Sequence, residues 1–180
     1  FTHRPTINTD DYLARSVAEL QGSELIPPSL HEAFFTILHQ VVALAGQRYH
    51  SEDNLRLHGD CHPGNILWRD GPTFVDLDDC RNGPAVQDLW MMLSGDHQAQ
   101  SLQMNTIVDA YNEFCNFNPL QLRLIEPLRA MRMVHYMAWL HRRWQRMLLF
   151  LITGYKVQSA FYISYANLRP VIFTKEMNKQ

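Results

Sequence analysis

Lysine is almost missing from this chain. Of its 180 residues only Lys156, Lys175 and Lys179 are lysine, and all three lie near the C-terminal end. Acid runs out too: after Glu126 the sole carboxylate side chain is Glu176. The stretch from about 145 onward therefore reads as a different kind of sequence from what precedes it. Cysteine is scarce. Cys61, Cys80 and Cys115 form an odd, unpatterned set with no CxxC spacing, which excludes a disulfide scaffold and predicts free thiols in a reducing cytoplasm. No apolar run reaches the roughly 20 residues a bilayer requires. The nearest, 147–166, is interrupted by Lys156 and Gln158, so no membrane span is expected. The opening segment FTHRPTINTD has no apolar core and no initiating methionine, which speaks against a signal peptide and for a piece of something longer. A net charge of -2 gives no reason to expect nucleic acid or an anionic membrane as partner. GxxxxGK[ST] is absent, so a P-loop is excluded.

What is present is the make-up of a folded globular chain, with 46% apolar and 19% charged residues. The length suits one well-filled core and is short for two full domains. Thr9, Asp10 and Asp11 offer capping oxygens before a short helix, and Ser29 offers one before a long helix from about Leu30 to Arg48. Helical spacing of Ala33, Phe34, Ile37, Leu38, Val41, Val42 and Leu44 predicts one buried face there. From LRLH onward the period changes. The segment NILWRDGPTFVDLDD holds two short apolar runs joined by Asp70-Gly71-Pro72, a hairpin signal, with strand character ending at Asp76. A turn at Asn82-Gly83 and a helix with Pro84 in its first turn should follow, then helical patterns over roughly 98–115, 119–126 and 127–146. Trp90, Met91, Met92, Met131, Met133 and Met137 are expected in the core. The fold class is thus α+β, mainly α, with a small β-hairpin.

The unusual residues gather in LHGDCHPGNILW, 57–68. Asp60 sits on a loop between two glycines, Asn65 begins one hairpin strand and Asp76 ends the other. Antiparallel pairing sets the start of one strand beside the end of its partner, so Asn65 and Asp76 should be neighbours with Asp60 close by. A carboxylate and an amide oxygen presented together are hard ligands that suit Mg²⁺. Asp60, left off the metal, is then free to orient a hydroxyl and take its proton, as phosphoryl transfer requires.

The run HGDCHPGN, followed after a hairpin by FVDLDD, resembles the catalytic centre of the protein-kinase-like aminoglycoside phosphotransferase and choline kinase superfamily. Residues 1 to about 143 are more closely similar to the C-terminal lobe of the bacterial stress response kinase A family, cytoplasmic serine/threonine protein kinases. The segments LRLHGDCHPGNILWRDGPTFVDLDD, RNGPAVQDLWMML and LIEPLRAMRMVHYMAWLHRRW carry the likeness. The resemblance implies the large lobe of a kinase-like fold over 1–144, with a divergent tail at 145–180. It implies Asp60 as the general base, Asn65 and Asp76 as Mg²⁺ ligands against the ATP phosphates, and Asp88 as a support for the catalytic loop. Asp78 is an acid within reach of the same cluster. The implied acceptor is a protein serine or threonine, and the chain is expected to be a cytoplasmic monomer. Kinases of this shape take a phosphate-covering loop and a lysine from a smaller lobe. With no lysine before Lys156, a truncated, weakly active or inactive product is the expectation.

Other chemistries fit parts of the pattern. The same centre serves a small-molecule kinase acting on an aminoglycoside or amino-alcohol, and a non-catalytic remnant would keep the fold alone. Alternate positions His58, Asp60 and His62, with Cys61, form a rival zinc set that leaves Asn65 and Asp76 unexplained. Asp78 and Asp79 also suit a solvated turn, and Asp88 a first helical turn. His58 is expected to pack under the loop, His62 to stabilise it or face solvent, and Arg142 and Arg143 to sit at a solvated helix end.

Overall fold

The computed structural model describes residues 3–51 and 53–152, with side chains described through 144. It falls into two compact units, Phe1–Trp139 and Leu140–Gln180. The apolar run 147–166 and the divergent tail lie mostly outside the described residues.

In the first unit a π-helical turn, Asp10–Ala14, leads directly into α1, Arg15–Gln21. The capping oxygens expected from Thr9, Asp10 and Asp11 are not used. The Asn8 side chain instead accepts from the Asp11 N–H at 2.8 Å, and its own amide donates to the Asp11 carboxylate at 2.8 Å. Helix α2 runs His31–Arg48 behind a 3-10 turn at Pro28–Leu30, and Ser29 lies inside that turn, not at the cap. The buried residues of α2 are Phe35, Leu38 and Ala45, with Val42 packed partly against them. Ile37 stays 62% exposed and Leu44 is exposed as well. The helix carries more apolar residues than one face can hold, so the stripe at 3–4 residue spacing won and its neighbours face out.

Four three-residue strands follow: β1 Leu55–Leu57, β2 Ile66–Trp68, β3 Pro72–Phe74 and β4 Arg81–Gly83. The expected hairpin is β2–β3, antiparallel, with Ile66 opposite Phe74 and Trp68 opposite Pro72. The Asn82-Gly83 turn is not formed. Those residues belong to β4, which pairs antiparallel with β1, placing Leu55 opposite Gly83. The chain start adds a bridge, with the Ile7 N–H donating to the Asn82 carbonyl at 2.8 Å. A Cβ at Gly83 would stand 2.9 Å from both Ile7 Cδ1 and Leu57 Cδ1, so this strand needs glycine for packing.

Helix α3, Val86–Trp90, begins two residues after Pro84. Helix α4 covers His97–Asn112, where the Asp96 side chain caps the Ala99 N–H at 2.9 Å. A 3-10 stretch, Pro119–Leu124, then runs into α5, Ile125–Ile152. Leu128, Met131, Val134 and Ala138 of α5 are almost wholly inaccessible and anchor the core with Val86 and Leu13. Met133 departs from expectation at 58% exposure, because its position on α5 lies off that stripe. Trp90, Met91, Met92 and Met137 are half-buried. Arg142 and Arg143 lie within α5, well before its end.

Candidate active site

The loop between β1 and β2 is held from below by one carboxylate. Asp88 of α3 accepts the His58 N–H at 2.7 Å through Oδ2 and the Gly59 N–H at 2.9 Å through Oδ1. Burial pushes its carboxyl above the usual range, and the two backbone donors pull the other way without cancelling that effect. Gly59 has φ +86°, and a Cβ there would sit 2.1 Å from the Asp79 carbonyl oxygen. Glycine is required twice over, by the left-handed backbone and by this close approach to the turn that follows β3. Gly64, the second glycine of the loop, has no positive φ; its hydrogen leaves room for the His62 ring.

His58 ties the loop to the hairpin. Its Nδ1 accepts from the Asp60 N–H at 3.3 Å, which leaves the proton on Nε2 to donate to the Val75 carbonyl at 2.9 Å. Both ring nitrogens are engaged, so His58 is structural. His62 caps the 3-10 turn Pro63–Asn65 by accepting the Gly64 N–H at 3.0 Å. The Cys61 thiol is buried and its pKa is pushed up to about 11, which disfavours the thiolate a zinc ion would need. With His58 committed to the backbone, the zinc set does not converge, and among the described residues no three His, Cys, Asp or Glu groups form a metal cluster.

Asp60 is directed into the site with its side chain 18% exposed. Its Oδ1 pairs with Nη2 of Arg132 from α5. Its Oδ2 is more lightly engaged, with Asn65 Nδ2 at 3.5 Å and His62 Nε2 at 3.7 Å. Asn65 also donates from Nδ2 to the Asp60 carbonyl at 3.0 Å. That contact turns the Asn65 side-chain oxygen away from Asp60, and no group among the described residues donates to it.

Asn65 is the last residue of its 3-10 turn, directly before β2, and Asp76 lies two residues beyond β3. The Val75 N–H donates to the Asn65 carbonyl at 3.0 Å, extending the hairpin ladder by one step. Asp76 follows Val75 at once, with φ 63° and ψ 60°. Among the described residues it is the only one besides glycine with positive φ, and nothing among them pairs with its carboxylate. Aspartate is among the few non-glycine residues that adopt this backbone region readily, and here its carboxylate is exposed. Asp78 is exposed, its carbonyl accepting from Arg4 at 3.3 Å, and Asp79 pairs with Arg81 at 3.1 Å. Both are turn residues.

The Asn65 side-chain oxygen and the Asp76 carboxylate, neither of which accepts a bond among the described residues, are hard oxygen atoms of the type Mg²⁺ takes while keeping several waters. Arg132 is the member that sequence reasoning missed. It lies 72 residues from Asp60, and helical spacing reports only on its own helix.

A model of the phosphotransferase enzyme family matches residues 2–125. Stress response kinase A of Escherichia coli strain K12 is 54% identical over 145 residues, covering 80% of this chain and 44% of that protein. The stress response kinase A of Salmonella choleraesuis strain SC-B67 is 50% identical over the same span. So is the serine/threonine protein kinase RdoA of Salmonella typhimurium strain LT2. The chain spans less than half the length of these relatives. Both small antiparallel sheets and the loop built on Asp60 fall within the matched residues 2–125. The chain belongs to the phosphotransferase enzyme family.

Proposed function

We propose that this chain carries the acceptor and metal half of an ATP- and Mg²⁺-dependent phosphoryl transfer to serine or threonine hydroxyls of a protein. The observation that carries the reading is the arrangement around Asp60. One of its oxygens is fixed by a cation, the other is lightly held, and two unspent hard oxygen donors stand at the adjoining hairpin end. Asp60 Oδ2 receives the proton of the acceptor hydroxyl as the new O–P bond forms and the bond to ADP breaks. Asn65 and Asp76 would hold the metal. Mg²⁺ supplies charge neutralisation and a template for the triphosphate when bound. Asp88 holds the backbone at His58 and Gly59, so it positions Asp60 without touching substrate. The relatives' names, which include a serine/threonine protein kinase, support the reaction class and the acceptor.

Residues 1–155 contain no lysine to neutralise the triphosphate, so the 180 residues alone should turn over weakly or not at all. The apolar face of the hairpin that carries exposed Phe74 and Trp68, the latter at 77% exposure, suits cover by a nucleobase and by further protein. Three free cysteines support a cytoplasmic setting, and we take the chain to be a monomer. Among the described residues no helix is long and apolar enough to cross a membrane. The test is incorporation of labelled γ-phosphate into dephosphorylated casein, in parent and Asp60→Ala. Any measurable transfer should vanish in the variant; transfer that survives it sinks the assignment of the base.

A further inference from the structure

We infer that Arg132 is the positioning residue for Asp60: it fixes the carboxylate rotamer so that Oδ2, not Oδ1, meets the acceptor hydroxyl. The inference rests on the phosphotransfer reading above. Carboxylate oxygens are equivalent until something distinguishes them, and here the distinction is built in. Oδ1 is taken by Arg132 Nη2, while the contacts to Oδ2 are long, 3.5 Å from Asn65 and 3.7 Å from His62. An arginine suits the task because its guanidinium carries donors only and does not titrate in proteins, so it cannot compete for the proton that Oδ2 must collect.

The placement of Arg132 is rigid at its base. It follows Met131 and stands one helical turn after Leu128, and both of those are among the most deeply buried side chains. α5 therefore delivers the guanidinium from the edge of its core stripe, with the side chain only 32% exposed. The other cation of this face, Arg129, is occupied elsewhere. It pairs with Glu126 at 2.8 Å and lies over the Trp90 ring at 5.3 Å, so it cannot substitute. Without Arg132 the carboxylate would keep only the two long contacts and would rotate about its Cβ–Cγ bond. An error of about 1 Å in a reacting group costs on the order of 100-fold in rate.

The experiment compares the parent chain with Arg132→Met, Arg132→Lys, Asp60→Asn and, as a control at an exposed site, Arg123→Met. Labelled γ-phosphate transfer to dephosphorylated casein should fall about 10- to 100-fold in kcat for Arg132→Met, with KM for Mg·ATP within about twofold. Arg132→Lys should recover part of the loss, because it restores the charge without the planar fork. Arg132→Met at parental kcat, with Asp60→Asn inactive, overturns the Arg132 assignment alone. Transfer that survives Asp60→Asn overturns the reading beneath it. A second readout needs no turnover. The Asn65 side-chain amide spans the Asp60 carbonyl at 3.0 Å and Oδ2 at 3.5 Å, so its NMR resonances report where the carboxylate sits. They should shift in Arg132→Met and stay in place in Arg123→Met. Identical Asn65 resonances in parent and Arg132→Met refute the inference even in a chain too slow to assay.

Discussion

Replacing Gly59 by alanine should damage both the fold and the site, and the size of the effect can be worked from two features. The first is the backbone. Gly59 has φ +86°, and an L-residue in left-handed geometry costs roughly 1–2 kcal/mol. The second is space. The new methyl group would lie 2.1 Å from the Asp79 carbonyl oxygen and 3.0 Å from its carbon. Both obstacles are backbone, so no side chain can swing aside, and the loop must move by more than an ångström. Displacements forced by overpacking add about 1–3 kcal/mol. The sum is roughly 2–5 kcal/mol, and at about 2–4 °C per kcal/mol for a chain of this size, Tm should fall by roughly 4–20 °C. Differential scanning fluorimetry with a urea melt would measure it. The same movement pushes the Asp76–Asp79 turn away from the loop that carries Asn65, so Mg²⁺ binding should weaken in parallel. A Gly59→Ala chain melting within about 1 °C of the parent would show that the loop does not sit against the Asp79 carbonyl and would refute the argument.

Three further outcomes follow from the same geometry. Asp76→Gly should leave stability unchanged or raise it by up to about 1 kcal/mol, because glycine accepts φ 63° freely, yet it should lose Mg²⁺ binding; a drop in Tm would contradict the account. Asp88 carries a carboxyl raised by burial, so the folded state binds its proton more readily than the unfolded one, and this contribution to stability fades as pH rises above about 4. In Asp88→Asn that slope should disappear, visible as a flatter dependence of urea midpoint on pH than in the parent. The Cys61 thiol, buried and pushed up to about 11, should resist iodoacetamide near pH 8 while exposed Cys115 reacts, with peptide mapping deciding which thiol is labelled first.

The hairpin was legible because its signals are local: two apolar runs and an Asp-Gly-Pro joint put β2 antiparallel against β3. Asn82-Gly83 was misread for the opposite reason. The pair is turn-like by composition, but its partners are Leu55 and Arg56, with Thr6 alongside, and no local pattern announces them. Capping failed similarly, as Asn8 took the role expected of Thr9 and its neighbours. In the site, the spacing of Asp60, Asn65 and Asp76 pointed to one corner of the hairpin, and Asp60 and Asn65 are in contact there. The support from Asp88 came through resemblance, and the two backbone N–H groups that donate to its carboxylate give that support a physical form. Arg132 had no signal at all. Its helical period describes burial of α5, whereas its partner is set by tertiary packing across 72 residues.

The central claim is tested most directly by titrating the chain with Mn²⁺ as a paramagnetic stand-in for Mg²⁺ and following backbone amide resonances. The account predicts broadening concentrated at Asp60, Asn65 and Asp76, reversed by excess Mg²⁺ and abolished in Asp76→Asn. Broadening that is spread over the surface acids, or that persists unchanged in Asp76→Asn, would contradict it.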